Sequence, residues 1–176
     1  MKVAKFGGSS LANANQIKKV VDIILSDSER RIIVVSAPGK RLKEDTKVTD
    51  LLIILADSIL LGNDGNHELK IIMERFKSII EELSLSKELL DEINKDIKIR
   101  ISEDKSIAVK FKDGVKALGE DISAKIVAAY INSLGIKAKY INPKDAGLLL
   151  SEEFGNATVL DKSYKNLSKL KNENAL

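Results

Sequence analysis

Met1-Lys2-Val3-Ala4-Lys5-Phe6-Gly7-Gly8-Ser9-Ser10 opens the chain. A short apolar strand pattern, Val3–Phe6, passes through Lys5 into a glycine pair and two hydroxyls. A helical pattern follows, with Ile17, Val20, Val21, Ile24 and Leu25 on one face. Arg31–Ser36 contains the β-branched run Ile32-Ile33-Val34-Val35, is closed by Pro38, and reads as a second buried strand. A strand, a crossover helix and a strand of this kind form a right-handed parallel unit. The expected fold class is therefore α/β, with ligands bound beyond the carboxyl ends of the strands.

The glycine pair stands at such an end. Glycines there let backbone N–H groups turn toward an anion, the following helix aims its positive end at the same spot, and Lys5 adds a full charge. This is the outline of a phosphate site and favours phosphoryl transfer. The stretch matches neither G-x-x-x-x-G-K-[ST] nor G-x-G-x-x-G, and a lone Gly-Gly after a strand is most often only a tight turn. The other segments decide the matter.

Downstream the chain reads as helical. Val48, Leu51, Leu52, Leu55 and Ile59 form one stripe, ending near Gly62 to Gly65. Leu69, Ile72, Met73, Phe76, Ile79, Ile80 and Leu83 form a second, and Leu89, Leu90, Ile93 and Ile97 a third after Ser86 as a cap. These are packing faces; Met73 and Phe76 are core residues. Alternation then returns with a helix over Glu120 to Leu134 stopped by Gly135, a strand over Ile136–Ile141, weaker strands at Ala146–Leu150 and Ala157–Leu160, and a polar helix over Ser163–Lys171. The last residues read as the approach to a further strand.

Composition narrows the function. The 176 residues suffice for one well-buried domain with an Ile, Leu and Val core. The 29 basic and 26 acidic residues are interleaved, so the net charge of +3 forms no basic stripe, and no nucleic-acid partner is expected. Cysteine is absent, which excludes disulfides and thiolate chemistry and fits a reducing cytoplasm. No signal-peptide pattern and no apolar run of the ~20 residues that span a bilayer is present, so no membrane partner is expected.

Further polar segments sit where ligands would. Ser36-Ala37-Pro38-Gly39-Lys40-Arg41 follows the second strand, and Lys47-Val48-Thr49-Asp50 begins the next helix. The Thr49 hydroxyl and free helix N–H groups suit a carboxylate, although a plain capping role for Thr46 or Thr49 is the simpler reading of that segment alone. Gly119-Glu120-Asp121 reads as the head of a helix. Acidic residues there often only complement the helix dipole. The sharper reading gives Glu120 to an ammonium group, beside a glycine that lets a ligand approach. Hydroxyls for a carboxylate and a carboxylate for an ammonium describe an amino-acid pocket.

Taken in order, Lys5-Phe6-Gly7-Gly8-Ser9-Ser10, Val35-Ser36-Ala37-Pro38-Gly39-Lys40, Lys47-Val48-Thr49-Asp50-Leu51-Leu52 and Gly119-Glu120 with Ser123 resemble the aspartate kinases of the amino-acid kinase family. The resemblance implies a three-layer α/β/α sandwich around a largely parallel sheet. It also implies transfer of the ATP γ-phosphoryl group to the β-carboxylate of L-aspartate, at the start of lysine, threonine and methionine synthesis, in the cytoplasm. By the same resemblance Lys5 is the catalytic charge, and Lys5, Gly7, Gly8 and Ser9 line the phosphate path. Ser36 and Thr49 hold substrate carboxylates, Glu120 takes the α-ammonium, and no residue is a metal ligand, Mg²⁺ arriving with the nucleotide. Residues 1–176 correspond to the N-terminal, substrate-side part of the kinase domain, without the ATP-binding half and the ACT domains, so turnover by this piece alone is not expected. A non-catalytic aspartate-binding module and a kinase of another acidic amino acid are the alternatives. The Lys40–Lys47 stretch is longer than the family's loop, a homo-oligomer associating through an unpaired sheet edge is expected, and His67 is read as a surface residue.

Overall fold

Strands β1 (Lys2–Phe6) and β2 (Arg30–Val35) pair in parallel in the computed structural model, which describes residues 1–176. Val3 faces Ile32, Lys5 faces Val34 and Phe6 faces Val35, so one sheet face carries Phe6, Ile33 and Val35 and packs on the core. The other face carries Val3, Lys5 and Val34 and is exposed. A 3-10 turn over Gly8–Leu11 leads from β1 into α1 (Ala14–Leu25), whose start is fixed by the Asn13 side chain accepting the Gln16 N–H at 3.0 Å.

Four helices follow: α2 (Val48–Leu60), α3 (Asn66–Glu82), α4 (Lys87–Ser102) and α5 (Ala108–Ser133). One continuous core joins them, running from Leu11 and Ile17 through Leu52, Leu55, Ile72, Phe76 and Ile93 to Ile122 and Ile126. Each of these side chains is removed from water almost completely, a gain of about 1.5–3 kcal/mol apiece before entropy is charged. The expected stripes on α1 to α4 face the core, except that Leu25 at the end of α1 is exposed; His67 is exposed as well. The sheet of the expected α/β fold consists here of two strands, with helices packed on one face.

Five elements differ from expectation. Helix α5 begins at Ala108 rather than at Glu120, because Phe111, Val115, Leu118, Ile122 and Ile126 make one unbroken apolar stripe. Gly114 and Gly119, each costing up to about 1 kcal/mol in a helix interior, disguised it as a break. The Ile136–Ile141 segment is extended but is not a sheet strand. Its centre is satisfied by the Asn132 amide, which donates to the Ala138 carbonyl at 2.9 Å and accepts the Ala138 N–H at 3.0 Å. Only Leu176 adds a strand-like contact, bonding the Lys137 carbonyl at 3.0 Å and the Lys139 N–H at 2.7 Å. Finally, Ala146–Leu150 and Ala157–Leu160 meet in a single antiparallel bridge, Leu150 to Val159. Helix α6 (Lys162–Leu167) and a 3-10 turn over Ser168–Asn172 replace the polar helix expected over Ser163–Lys171. No helix is long and apolar enough to cross a membrane.

Candidate functional site

Backbone contact, not side-chain contact, builds the centre of the site. At the carboxyl ends of β1 and β2 the Ser36 N–H donates to the Phe6 carbonyl at 3.1 Å, and the Gly39 N–H donates to the Gly8 carbonyl at 2.8 Å. A Cβ on Gly8 would lie 2.8 Å from the Ala37 carbonyl oxygen; one on Gly39 would lie 2.7 Å from the Gly8 carbonyl carbon. The two loops touch main chain to main chain, so both positions exclude any side chain. Gly7 differs. A Cβ there meets nothing within 4 Å, and its φ of −82° is open to any residue. Neither glycine of the pair has positive φ, so the expected unusual backbone at Gly7-Gly8 is not what requires them: Gly8 serves close approach, and Gly7 leaves open space.

The remaining residues gather around this contact. Pro38 accepts the Val48 N–H at 3.0 Å, which sets the start of α2 against the loop after β2. Lys47 is the N-cap and supplies no side-chain cap; neither Thr46 nor Thr49 caps the helix. Thr49 is half-buried, one residue inside α2, where helix N–H groups lack partners. Ser36 is half-buried beside Phe6, Ser9 is exposed on the 3-10 turn, and Lys5 is exposed and free of salt bridges. Glu120 lies mid-helix rather than at a helix head, since α5 starts roughly three turns earlier. That removes the helix dipole as the reason for a carboxylate at this position. Its neighbour Gly119 is buried against the same loop, where a Cβ would lie 2.6 Å from the Ala37 Cβ. The glycine therefore admits the loop rather than a ligand, and it brings the exposed Glu120 to the rim of the cluster. The Gly8–Gly39 contact thus ties the first glycine loop to the loop that begins at Ser36; Thr49 follows Val48, whose N–H is bound by that second loop, and Glu120 follows Gly119, which packs on it.

One group here escaped the sequence reading. Arg75, from the buried side of α3, donates through Nη2 to the Ala12 carbonyl at 3.1 Å and the Gly39 carbonyl at 2.6 Å, and pairs through Nη1 with Asp45. Asp45 also receives the Arg41 Nε at 2.9 Å and the Arg41 backbone N–H at 2.9 Å. Hydrogen bonds from Arg41 first, and from Arg75 after it, hold the Asp45 carboxyl well below its ordinary value against the opposing effect of burial. A signal existed: Arg75 falls three residues after Ile72 and four before Ile79, so a charge stood on an apolar stripe and required partners. Ser123, read with Gly119-Glu120 in the sequence, lies one turn beyond Gly119, and its buried hydroxyl has no hydrogen-bond partner.

Other polar clusters lie outside this junction. Asp121 accepts from the Tyr140 hydroxyl and, at 2.9 Å, from the Asn142 amide. Burial, and then the bond to Asp121, pushes the Tyr140 hydroxyl up to about 12. A cleft of about 590 Å³ is lined by Tyr140, Asn142, Asp145, Asn166 and Glu173, away from the glycine loops. No group of three or more His, Asp or Glu residues is placed to hold a metal ion.

Known proteins share both the sequence and the architecture. Aspartokinase 3 of Bacillus subtilis (strain 168) is 47% identical over 176 residues, a match covering 100% of this chain and 39% of the relative. Chloroplastic aspartokinase 1 of Arabidopsis thaliana is 31% identical over 176 residues, covering 95% of this chain and 30% of the relative. Among solved structures, Clostridium acetobutylicum aspartate kinase superposes with a TM-score of 0.66 at 38% identity, over 74% of this chain and 29% of that one. Escherichia coli aspartokinase III in complex with aspartate and ADP gives a TM-score of 0.77 at 22% identity, over 96% of this chain and 37% of that one, a likeness of fold alone. The chain thus spans well under half the length of each of these four proteins. The amino acid kinase family model, however, matches residues 1–176, from the glycine loop of β1 to the last residue, and the chain belongs to that family.

Proposed function

We propose that residues 1–176 are the acceptor-substrate part of an aspartate kinase, which transfers the ATP γ-phosphoryl group to the β-carboxylate of L-aspartate. The observation that carries this reading is the junction at which Gly8 and Gly39 lock two loops together, with Ser36 and Thr49 beside it and Glu120 at its rim. The similarity to aspartokinases from Bacillus and Arabidopsis supports it.

Each residue has a role that its surroundings permit. Lys5 carries an exposed ammonium without a carboxylate partner, available to neutralise charge on the transferring phosphoryl group. Gly7 leaves open space at the end of β1, and Gly8 and Ser9 offer the N–H groups at the head of the 3-10 turn. Ser36 and Thr49 direct hydroxyls, and α2 its free N–H groups, to the substrate carboxylates. Glu120 takes the α-ammonium. An aspartate side chain, with a pKa of about 3.9, is already ionised near neutral pH, so no general base is required. The carboxylate oxygen forms the new bond to phosphorus while the bond to the ADP leaving oxygen breaks. Positioning and charge neutralisation supply the acceleration. ATP brings the phosphoryl group, and Mg²⁺ accompanies its phosphates. In this reading the remaining length of the relatives supplies most of the nucleotide site and the ACT domains. The protein acts as a cytoplasmic homo-oligomer at the entry to lysine, threonine and methionine synthesis, without nucleic-acid or membrane partners.

The test is an NMR titration of the labelled chain with L-aspartate, with L-glutamate as control. Saturable shifts around Thr49 and Glu120 with aspartate alone are expected. A dispersed spectrum that neither amino acid disturbs overturns the claim that these residues form the pocket.

A further inference from the structure

We infer that Arg75 is the positioning residue of the acceptor site, its buried guanidinium holding both glycine loops and the Lys40–Lys47 stretch in one fixed arrangement. The inference rests on the kinase reading for its purpose, and on geometry for its substance. The guanidinium binds three acceptors from three separate places: the Ala12 carbonyl after the first glycine loop, the Gly39 carbonyl in the second, and the Asp45 carboxylate before α2. Each acceptor belongs to a segment that carries a site residue. Ala12 follows Gly8 and Ser9, and Gly39 donates its N–H to Gly8. Asp45 lies three residues before Val48, whose N–H is bound by Pro38 and whose neighbour is Thr49.

The post itself is rigid. Ile72, Phe76 and Ile79 on the same helix are buried in the core, and the Arg75 side chain is 3% exposed. A planar fork that meets a carboxylate and two carbonyls at once cannot be reproduced by a point charge on a flexible stem. Burying a guanidinium is costly, and a core that needed only volume at this place would carry a leucine. Asp45 is held on its other side by Arg41, so the Lys40–Lys47 stretch is folded on itself and tied down at one residue. Movement of that residue frees the stretch that leads into Thr49.

The test measures amide exchange along the 176-residue chain, with L-aspartate titration beside it, for wild type, Arg75→Met, Arg75→Lys and Asp45→Asn. Arg75→Met should speed exchange of the Gly39 and Val48 N–H groups on the order of ten- to a hundredfold, with the β1–β2 pairs and α4 within about twofold. Arg75→Lys should recover part of the protection, and Asp45→Asn should act at Val48 more than at Gly39. Aspartate affinity should fall in the same order, by roughly tenfold in Arg75→Met. Equal acceleration everywhere, or none at Gly39 and Val48, overturns the inference. If Arg75→Met fails to fold, Asp45→Asn decides, because unchanged exchange at Val48 in that variant overturns it equally. Wild type that does not bind aspartate overturns the claim that these residues form the aspartate pocket, while the exchange pattern still decides whether Arg75 holds the loops.

Discussion

Residues 1–133 and 134–176 are held by different forces. Every member of the buried apolar cluster lies between Leu11 and Ile131. Beyond them only Ser163 is buried, and its hydroxyl is spent on the Leu149 main chain, accepting at 2.8 Å and donating at 2.9 Å. Apart from Ile136, Ala138 and Leu176, which pack half-buried against that core, the second region is attached by polar links: Tyr140 and Asn142 to Asp121, Arg31 to the Glu173 carbonyl at 2.8 Å, and the Gly155 N–H to the Asp113 carboxylate at 2.6 Å. A hydrogen bond contributes about 0.5–1.5 kcal/mol net, less than one buried aliphatic side chain. All the proposed site residues, Lys5 to Glu120, belong to the first region. The site is therefore fixed by the part of the molecule that is hardest to open, and the tail should open first.

That contrast can be broken or sharpened in several ways. The largest effect should come from Ile122→Ala, at the centre of the α5 stripe and fully buried. A loss of about 2–5 kcal/mol in urea unfolding is expected, with both regions melting together. A shift confined to the tail would reverse the assignment of the core. Next comes Gly8→Ala, whose Cβ would sit 2.8 Å from a backbone oxygen that cannot swing aside. It should cost about 1–3 kcal/mol and abolish the aspartate response. Gly7→Ala, with nothing to meet, should stay within about 0.5 kcal/mol of wild type. Indistinguishable melting of the two variants removes the argument from close approach.

Tyr140→Phe is smaller, about 1 kcal/mol, and should appear in amide exchange over residues 134–160 while the urea midpoint of the core holds. The smallest effects are those of pH, and they act on opposite regions. The Asp45 carboxyl is depressed, so its contribution is present above the ordinary value of 3.8 and fades as pH falls below it. The Tyr140 hydroxyl is raised, so its contribution is present below 10.0 and is lost as pH climbs toward about 12. Acid should loosen the Lys40–Lys47 stretch, and alkali the tail. Exchange measured at both extremes, with Tyr140→Phe insensitive at the upper one, would settle the division.

The two regions also differ in how far the sequence revealed them. In the first, spacing alone placed β1, β2 and four helical stripes, because burial imposes a period that survives in the residue types. It failed at α5, where Gly114 and Gly119 looked like a break; Gly119 is there because Ala37 presses on the helix, a tertiary demand that local pattern cannot register. Gly8 and Gly39 were legible as glycines at strand ends, yet their contact with each other joins segments far apart in the chain. Thr49 and Glu120 were candidates from their chemistry and Ser36 from motif order; the structure adds that Val48 and Gly119, their chain neighbours, both contact the loop after β2. Arg75 was visible only as a charge on an apolar stripe. In the tail Ile136–Ile141 had the composition of a strand, but composition does not supply a partner, and the Asn132 amide took its place.

The uncovered sheet face has a bearing on experimental design. Lys5 stands opposite Val34 and two residues from Val3, with those valines 46% and 61% exposed. A lysine in such a position keeps two apolar neighbours from merging into one adhesive patch. Replacing it with methionine or alanine, the customary way to question a lysine at a phosphate, would join them and invite self-association. Inactivity after that exchange would then report clumping as readily as lost chemistry. Lys5→Arg and Lys5→Gln keep the face polar, and compared at several protein concentrations they separate the two causes.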